Sequence, residues 1–162
     1  SCSAHEGEQV KYFAVSEFAC RDAKRTPYPA EHVEGILVPF IELTLDPIRE
    51  AFGAPLKVVS GYRTSAHNHA VGGARLSRHM IRLNGNDKFE GGDAVDICPL
   101  VPTRRNIDDL HGLVLNMVKN GKLERLGGLG RYPGRWLHVD ARPRKPDGGI
   151  ARWQGKGVGS ER

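Results

Sequence analysis

The chain has 162 residues, 39% of them hydrophobic and 27% charged, which fits one folded domain with a real core and excludes a disordered chain. No apolar run approaches the roughly 18 residues of a membrane-spanning helix. Lys+Arg exceeds Asp+Glu by 24 − 19 = +5, a mild excess that favours an anionic partner such as nucleic acid, cell-wall polymer or acidic lipid.

Residues 1–11 are polar and are expected to form a flexible N-terminal segment. Cys2 is a candidate for lipid attachment after removal of a leader. Cys2, Cys20 and Cys98 show no CxxC or Cys/His spacing, so one bridge with a free thiol and three reduced thiols both fit. The apolar stretch from Tyr12 to Phe18 is expected to dock on the core. From Glu31 to Phe52, the residues Val33, Ile36, Leu37, Phe40, Ile41, Leu45, Ile48 and Phe52 recur at three- and four-residue steps, the pattern of a buried helical face. Pro39 and Pro47 lie inside it and predict a kink or a break into two helices. Gly53 ends it.

Residues 56–60 read as a strand. Residues 61–92 carry little hydrophobic periodicity and much Gly, Asn, His and Arg; a long irregular polar region in a compact chain is usually functional. Residues 94–97 read as a second strand. Thr103 or Asn106 caps a helix with Ile107, Leu110, Leu113, Val114, Met117 and Val118 on one face, closed by Asn120-Gly121. Residues 126–130 and 136–141 read as a strand pair joined through Tyr132-Pro133-Gly134. Residues 143–162 form a basic, Gly-rich tail with Trp153 as its anchor. There is no internal repeat and no domain boundary.

Of the 7 histidines, His32 and His111 fall in predicted helices and His5 in the N-terminal segment. That leaves His67, His69, His79 and His138. Asp96 lies between Val95 and Ile97 in a strand, so it faces away from both. A carboxylate there is expensive unless it is paired or bound to a metal. His138 repeats the pattern: Leu137 and Val139 point one way, and Trp136, His138 and Asp140 the other. His79, from the polar region, would complete two imidazoles and a carboxylate, a usual catalytic zinc set with one position left for water. The same residues also fit an Asp96–arginine pair and a hydrogen-bonded core histidine.

Ser60-Gly61-Tyr62-Arg63-Thr64 is followed by His67-Asn68 with Val71-Gly72-Gly73-Ala74. Then come Ser77-Arg78-His79, Gly92-Asp93-Ala94-Val95-Asp96 and His138-Val139-Asp140. In that order these segments resemble the zinc D-Ala-D-Ala carboxypeptidase family, and within it the peptidoglycan endopeptidases. The Hedgehog amino-terminal domain is a distant relative of that family. The resemblance covers residues 12–142. It implies a single α+β domain, with a small antiparallel sheet and packed helices. It also implies zinc held by His79, Asp96 and His138, and substrate held by Arg63, Ser77 and Tyr132, with Arg63 also acting in catalysis. The implied activity is hydrolysis of the peptide stem or cross-link of bacterial peptidoglycan, as an endopeptidase or as a D,D- or L,D-carboxypeptidase. The implied protein is a monomer, periplasmic, extracellular or cell-wall associated, or a phage lysin. The alternative is a non-catalytic zinc-containing module that binds cell wall or protein. Arg142, Arg144, Lys145, Arg152 and Lys156 match no nucleic-acid-binding motif, so no nucleic-acid partner is expected.

Two features depart from the family pattern. His79 and Asp96 lie 96 − 79 = 17 apart, where the family usually has seven, so the extra residues within Met80–Gly92 are expected to form a mobile, dispensable loop beside the metal. Many family members also carry an acid or histidine two or three residues before the last zinc histidine, as general base; here Arg135 and Trp136 stand there. A proton acceptor must lie within hydrogen-bond reach of the attacking water. Asp140, on the face of His138 and roughly 7 Å along the strand, is the expected base. It could instead orient the histidine or pair with Arg142 or Arg63. Asp93 and His69 are the other acceptors. Arg63 has a structural alternative too, an ion pair with Asp93 or Glu90.

Overall fold

The computed structural model describes residues 10–157. Cys2 and most of the expected N-terminal segment lie outside the described residues. Val15–Phe18 forms a 3-10 turn, with the Ala14 N–H donating to Glu17 Oε2 at 2.7 Å. Phe13, Val15 and Phe18 are buried, so this stretch docks on the core as expected.

The helical run over 30–52 (α1) buries Val33, Leu37, Phe40, Ile41, Leu45 and Ile48, and it does not break at its prolines. Each proline follows a π turn: Val33–Leu37 before Pro39, and Ile41–Leu45 before Pro47. Proline removes one N–H from the helical ladder and crowds the carbonyl four residues back; the wider turn absorbs both effects. Gly53 ends the run in the left-handed region at φ 76°, where a Cβ would be strained.

Strand β1 (Leu56–Ser60) leads into residues 61–92, which are more ordered than their composition suggests. Thr64 Oγ1 accepts the His67 N–H at 3.1 Å and caps the short helix α2 (Ser65–Ala70). The stretch Met80–Gly92 is not an irregular loop but a hairpin of β2 (Ile81–Leu83) and β3 (Phe89–Gly91). Asn84 Oδ1 organises its turn by accepting from the N–H groups of Asn86 and Lys88 at 2.8 and 3.2 Å. Its base is tied down: the Tyr28 hydroxyl donates to the Gly92 carbonyl at 2.7 Å, and Ile81 packs against the core. Leu83 and Phe89 stay exposed. Strands of three residues are too short to show a hydrophobic period, and side-chain-to-backbone hydrogen bonds do the ordering instead.

Strand β4 (Ala94–Pro99) is buried throughout. Thr103 caps α3 (Arg104–Lys119), its Oγ1 accepting the Asn106 N–H at 3.0 Å, whereas the Asn106 side chain donates to the Val101 carbonyl. β5 (Gly128–Tyr132) starts two residues later than expected and pairs with β6 (Trp136–Asp140) through the turn at Pro133-Gly134. The stretch expected as a basic tail contains a further strand, β7 (Ala151–Gln154), parallel to β5.

The main sheet has the order β1-β4-β6-β5-β7 and is antiparallel except at the β5–β7 edge. Val95, Ile97, Leu129, Leu137 and Val139 belong to one fully buried cluster with Leu110 and Val114 of α3 and the buried face of α1. Each such side chain is worth about 1.5–3 kcal/mol of apolar transfer. Strand alternation then turns the polar set, Asp96, His138 and Asp140, to the opposite face. Cys20 and Cys98 are both buried and free, so they do not bridge. No helix among the described residues is long and apolar enough to cross a membrane.

Candidate metal centre

One rung of the sheet builds the site. Ser60 is opposite Asp96, Asp96 opposite His138, His138 opposite Gly130, and Gly130 opposite Trp153. These five positions run across all five strands on one face. His79 joins from the segment before β2: its N–H is held by Ser77 Oγ at 3.2 Å, and its carbonyl accepts the Arg63 N–H at 3.0 Å. His79, Asp96 and His138 are buried, and each offers a ligand atom within 4.8 Å of the others. Asp96 Oδ1 lies 3.5 Å from His79 Nε2 and 3.1 Å from His138 Nδ1.

The neighbours of the two imidazoles fix their tautomers. His79 Nδ1 lies 2.7 Å from the Gly61 carbonyl, which can only accept, so Nδ1 carries the proton and Nε2 presents its lone pair. His138 Nε2 lies 2.7 Å from Asp140 Oδ2, so Nε2 donates and Nδ1 faces Asp96. Two lone pairs and a carboxylate oxygen thus converge, each imidazole oriented by an acceptor behind it, the arrangement that metal-ligating histidines use. Burial pushes His79 below its ordinary value, which favours the neutral imidazole. Burial disfavours the Asp96 carboxylate too, but the two imidazoles that face it hold it below the usual carboxylate range. The donors suit zinc, which takes imidazole nitrogen and carboxylate oxygen in tetrahedral sites.

The three donors lie in a cleft of about 440 Å³ that also involves Arg63, Ser77, Arg78, Tyr132, Trp136, Arg142 and Trp153. All three expected substrate-binding residues therefore reach it. Arg63 donates to Ser60 Oγ at 3.2 Å, Asn68 Oδ1 at 3.2 Å and Asp96 Oδ2 at 3.4 Å. The Asp96–arginine pair left open by the sequence is therefore present, with Arg63 as the arginine, while Asp93 pairs with Arg78 and Glu90 with Arg82. His69 is exposed on α2 and, like Asp93, does not line the cleft. Asn68, which sequence reasoning did not single out as a site residue, is buried, holds Arg63 and donates to the Ala74 carbonyl at 2.9 Å.

Asp140, the expected base, is fully buried. Besides His138, it accepts from the Arg142 side chain at 2.6 and 2.9 Å and from the Arg142 N–H at 3.0 Å. Arg142 in turn covers the Trp153 ring at 4.9 Å, and that ring lies 5.2 Å from the His138 ring. Trp153 Nε1 donates to the Tyr132 hydroxyl at 3.3 Å. Sequence reasoning gave Trp153 no place at the candidate metal site, because nothing local announces the parallel pairing of β7. Gly130 is the signal that was available: a Cβ there would sit 2.4 Å from Trp153 Nε1.

A family model described as Peptidase M15 matches residues 11–140, most of the chain and all three donors. No curated protein matches the chain. The chain belongs to the peptidase M15 family.

Proposed function

We propose that the protein is a zinc-dependent peptidase acting on the peptide stem or cross-link of peptidoglycan, outside the cytoplasmic membrane. The observation that carries this reading is the convergence of His79 Nε2, Asp96 Oδ1 and His138 Nδ1, with both tautomers set by acceptors behind the rings. Bound there, zinc would polarise the scissile carbonyl and lower the pKa of a coordinated water to about 7. Arg63 would hold a carboxylate or carbonyl of the peptide with its planar fork. Ser77 and Tyr132 would add hydrogen bonds along the cleft. Arg63, Arg78 and Arg142 line the cleft, and each also pairs with a carboxylate, Asp96, Asp93 and Asp140 respectively.

In this reading Asp140 is not the base. Its oxygens are occupied by His138 and Arg142, and its work is to hold the His138 ring. A second reading, a zinc-containing binding module, is favoured by one observation: among the described residues lining the cleft, Asp96 is the one carboxylate.

Digestion of purified peptidoglycan, followed by mass analysis of released fragments, tests the proposal. Fragments are expected from the zinc-loaded protein, lost with a chelator and restored by added zinc; their masses name the bond cut. A protein that binds about one equivalent of zinc yet releases no fragment is the binding module instead.

A further inference from the structure

The opposite face of the sheet carries a second polar cavity at the β5–β7 edge. Leu129 is opposite Arg152, and Arg131 opposite Gln154, so Arg131, Arg152 and Gln154 share the face of buried Leu129. Arg131 meets Asp108 of α3 at 3.3 Å, which places this group beside the helix and away from the metal. The cavity is about 340 Å³ and is lined by His111, Arg131, Arg152, Trp153 and Gln154. It holds two guanidinium groups and an imidazole, and none of these lining residues is an acid. Asp108 is half exposed at its rim.

Arg131 is not fully satisfied by its neighbours. One terminal nitrogen donates to Gln154 Oε1 at 2.7 Å and the other reaches Asp108, but Nε is buried with no acceptor. A buried N–H without a partner is costly, so the neighbours leave part of the Arg131 guanidinium unmatched. Arg152, exposed on the edge strand, adds a second guanidinium, and planar guanidinium forks match the oxygens of phosphate and carboxylate. The positive character of the cavity also tells on His111: burial first, and then Arg131 and Arg152, push the imidazole below its ordinary value.

We propose that this cavity is an oxyanion site, for a phosphate or carboxylate group, separate from the metal centre. It does not rest on the peptidase reading. Trp153 lines both cavities, so the two sites lie back to back across one edge strand.

The test follows the His111 side-chain signal by NMR in the full chain, at fixed pH and with ionic strength held constant by chloride. Inorganic phosphate and acetate are titrated separately. A saturable shift with either anion is expected, and the tighter of the two identifies the source. Arg152→Gln, at an exposed position, should weaken that anion about 10-fold or more and leave zinc content unchanged. A linear, non-saturating response to both anions overturns the proposal. So does an Arg152→Gln variant that titrates like the parent.

Discussion

Asp140→Asn separates orienting the metal ligand from taking a proton, because the side chain keeps its shape and loses its charge. Asp140 accepts from His138 Nε2 at 2.7 Å, from the Arg142 side chain at 2.6 and 2.9 Å, and from the Arg142 N–H at 3.0 Å. An asparagine offers one oxygen where two are used, so its amide N–H₂ must face either the imidazole N–H or the guanidinium. At least one charge-assisted hydrogen bond goes, worth about 1.5–3 kcal/mol. Arg142 is 34% exposed, so water recovers part of this, and a loss of about 2 kcal/mol is expected, or roughly 4–8 °C in melting temperature for a chain of this size. In either orientation the clamp on the His138 ring is weakened, and zinc affinity should fall about 10- to 100-fold. Chelator competition measures the affinity, urea unfolding of the metal-free protein measures the stability, and peptidoglycan digestion at saturating zinc measures activity. Activity should largely return once zinc is saturating. An Asp140→Asn variant that binds zinc like the parent yet cleaves at least about 100-fold more slowly refutes this account and makes Asp140 the base.

Arg63→Ala should keep its zinc, because it removes a contact to Asp96 Oδ2 while Oδ1 still faces both imidazoles, and lose at least about 30-fold in kcat/KM through the missing substrate contact; a variant that fails to fold would instead mark its bonds to Ser60, Asn68 and Asp96 as structural. Gly130→Ala drives a methyl into the Trp153 ring and should cost about 1–3 kcal/mol, with a red shift in tryptophan emission, whereas an unchanged spectrum and melting curve would contradict the packing of Trp153 on His138. Replacing the hairpin turn 84–88 by a shorter one should leave a folded, zinc-binding protein with an altered fragment pattern, while Ile81→Ala, at the tied-down base, should cost about 2 kcal/mol. Collapse of the turn variant in circular dichroism would show that the tip, too, supports the fold.

Sequence alone determined what a local pattern can express. Alternation put Asp96 beside neither Val95 nor Ile97, and put His138 and Asp140 on one side of β6, because successive side chains on a strand take opposite faces. Three- and four-residue steps marked the buried faces of α1 and α3 for the equivalent helical reason. The ordered motifs around His79, Asp96 and His138 marked the donor set.

Only the tertiary structure decided the rest, since each remaining feature depends on a partner distant in sequence. The proton on His79 sits on Nδ1 because the Gly61 carbonyl arrives 18 positions earlier in the chain. Asp140 holds the His138 ring in place of facing the cleft because Arg142 closes over its oxygens. Trp153 reaches the candidate metal site through a parallel pairing between strands separated by β6 and a long connection, and such pairing has no local signature. The prolines of α1 do not break it into two helices, because a π turn before each of them absorbs the lost hydrogen bond. Residue type and period are properties of neighbours along the chain; tautomer, clamp and cleft are properties of neighbours in space.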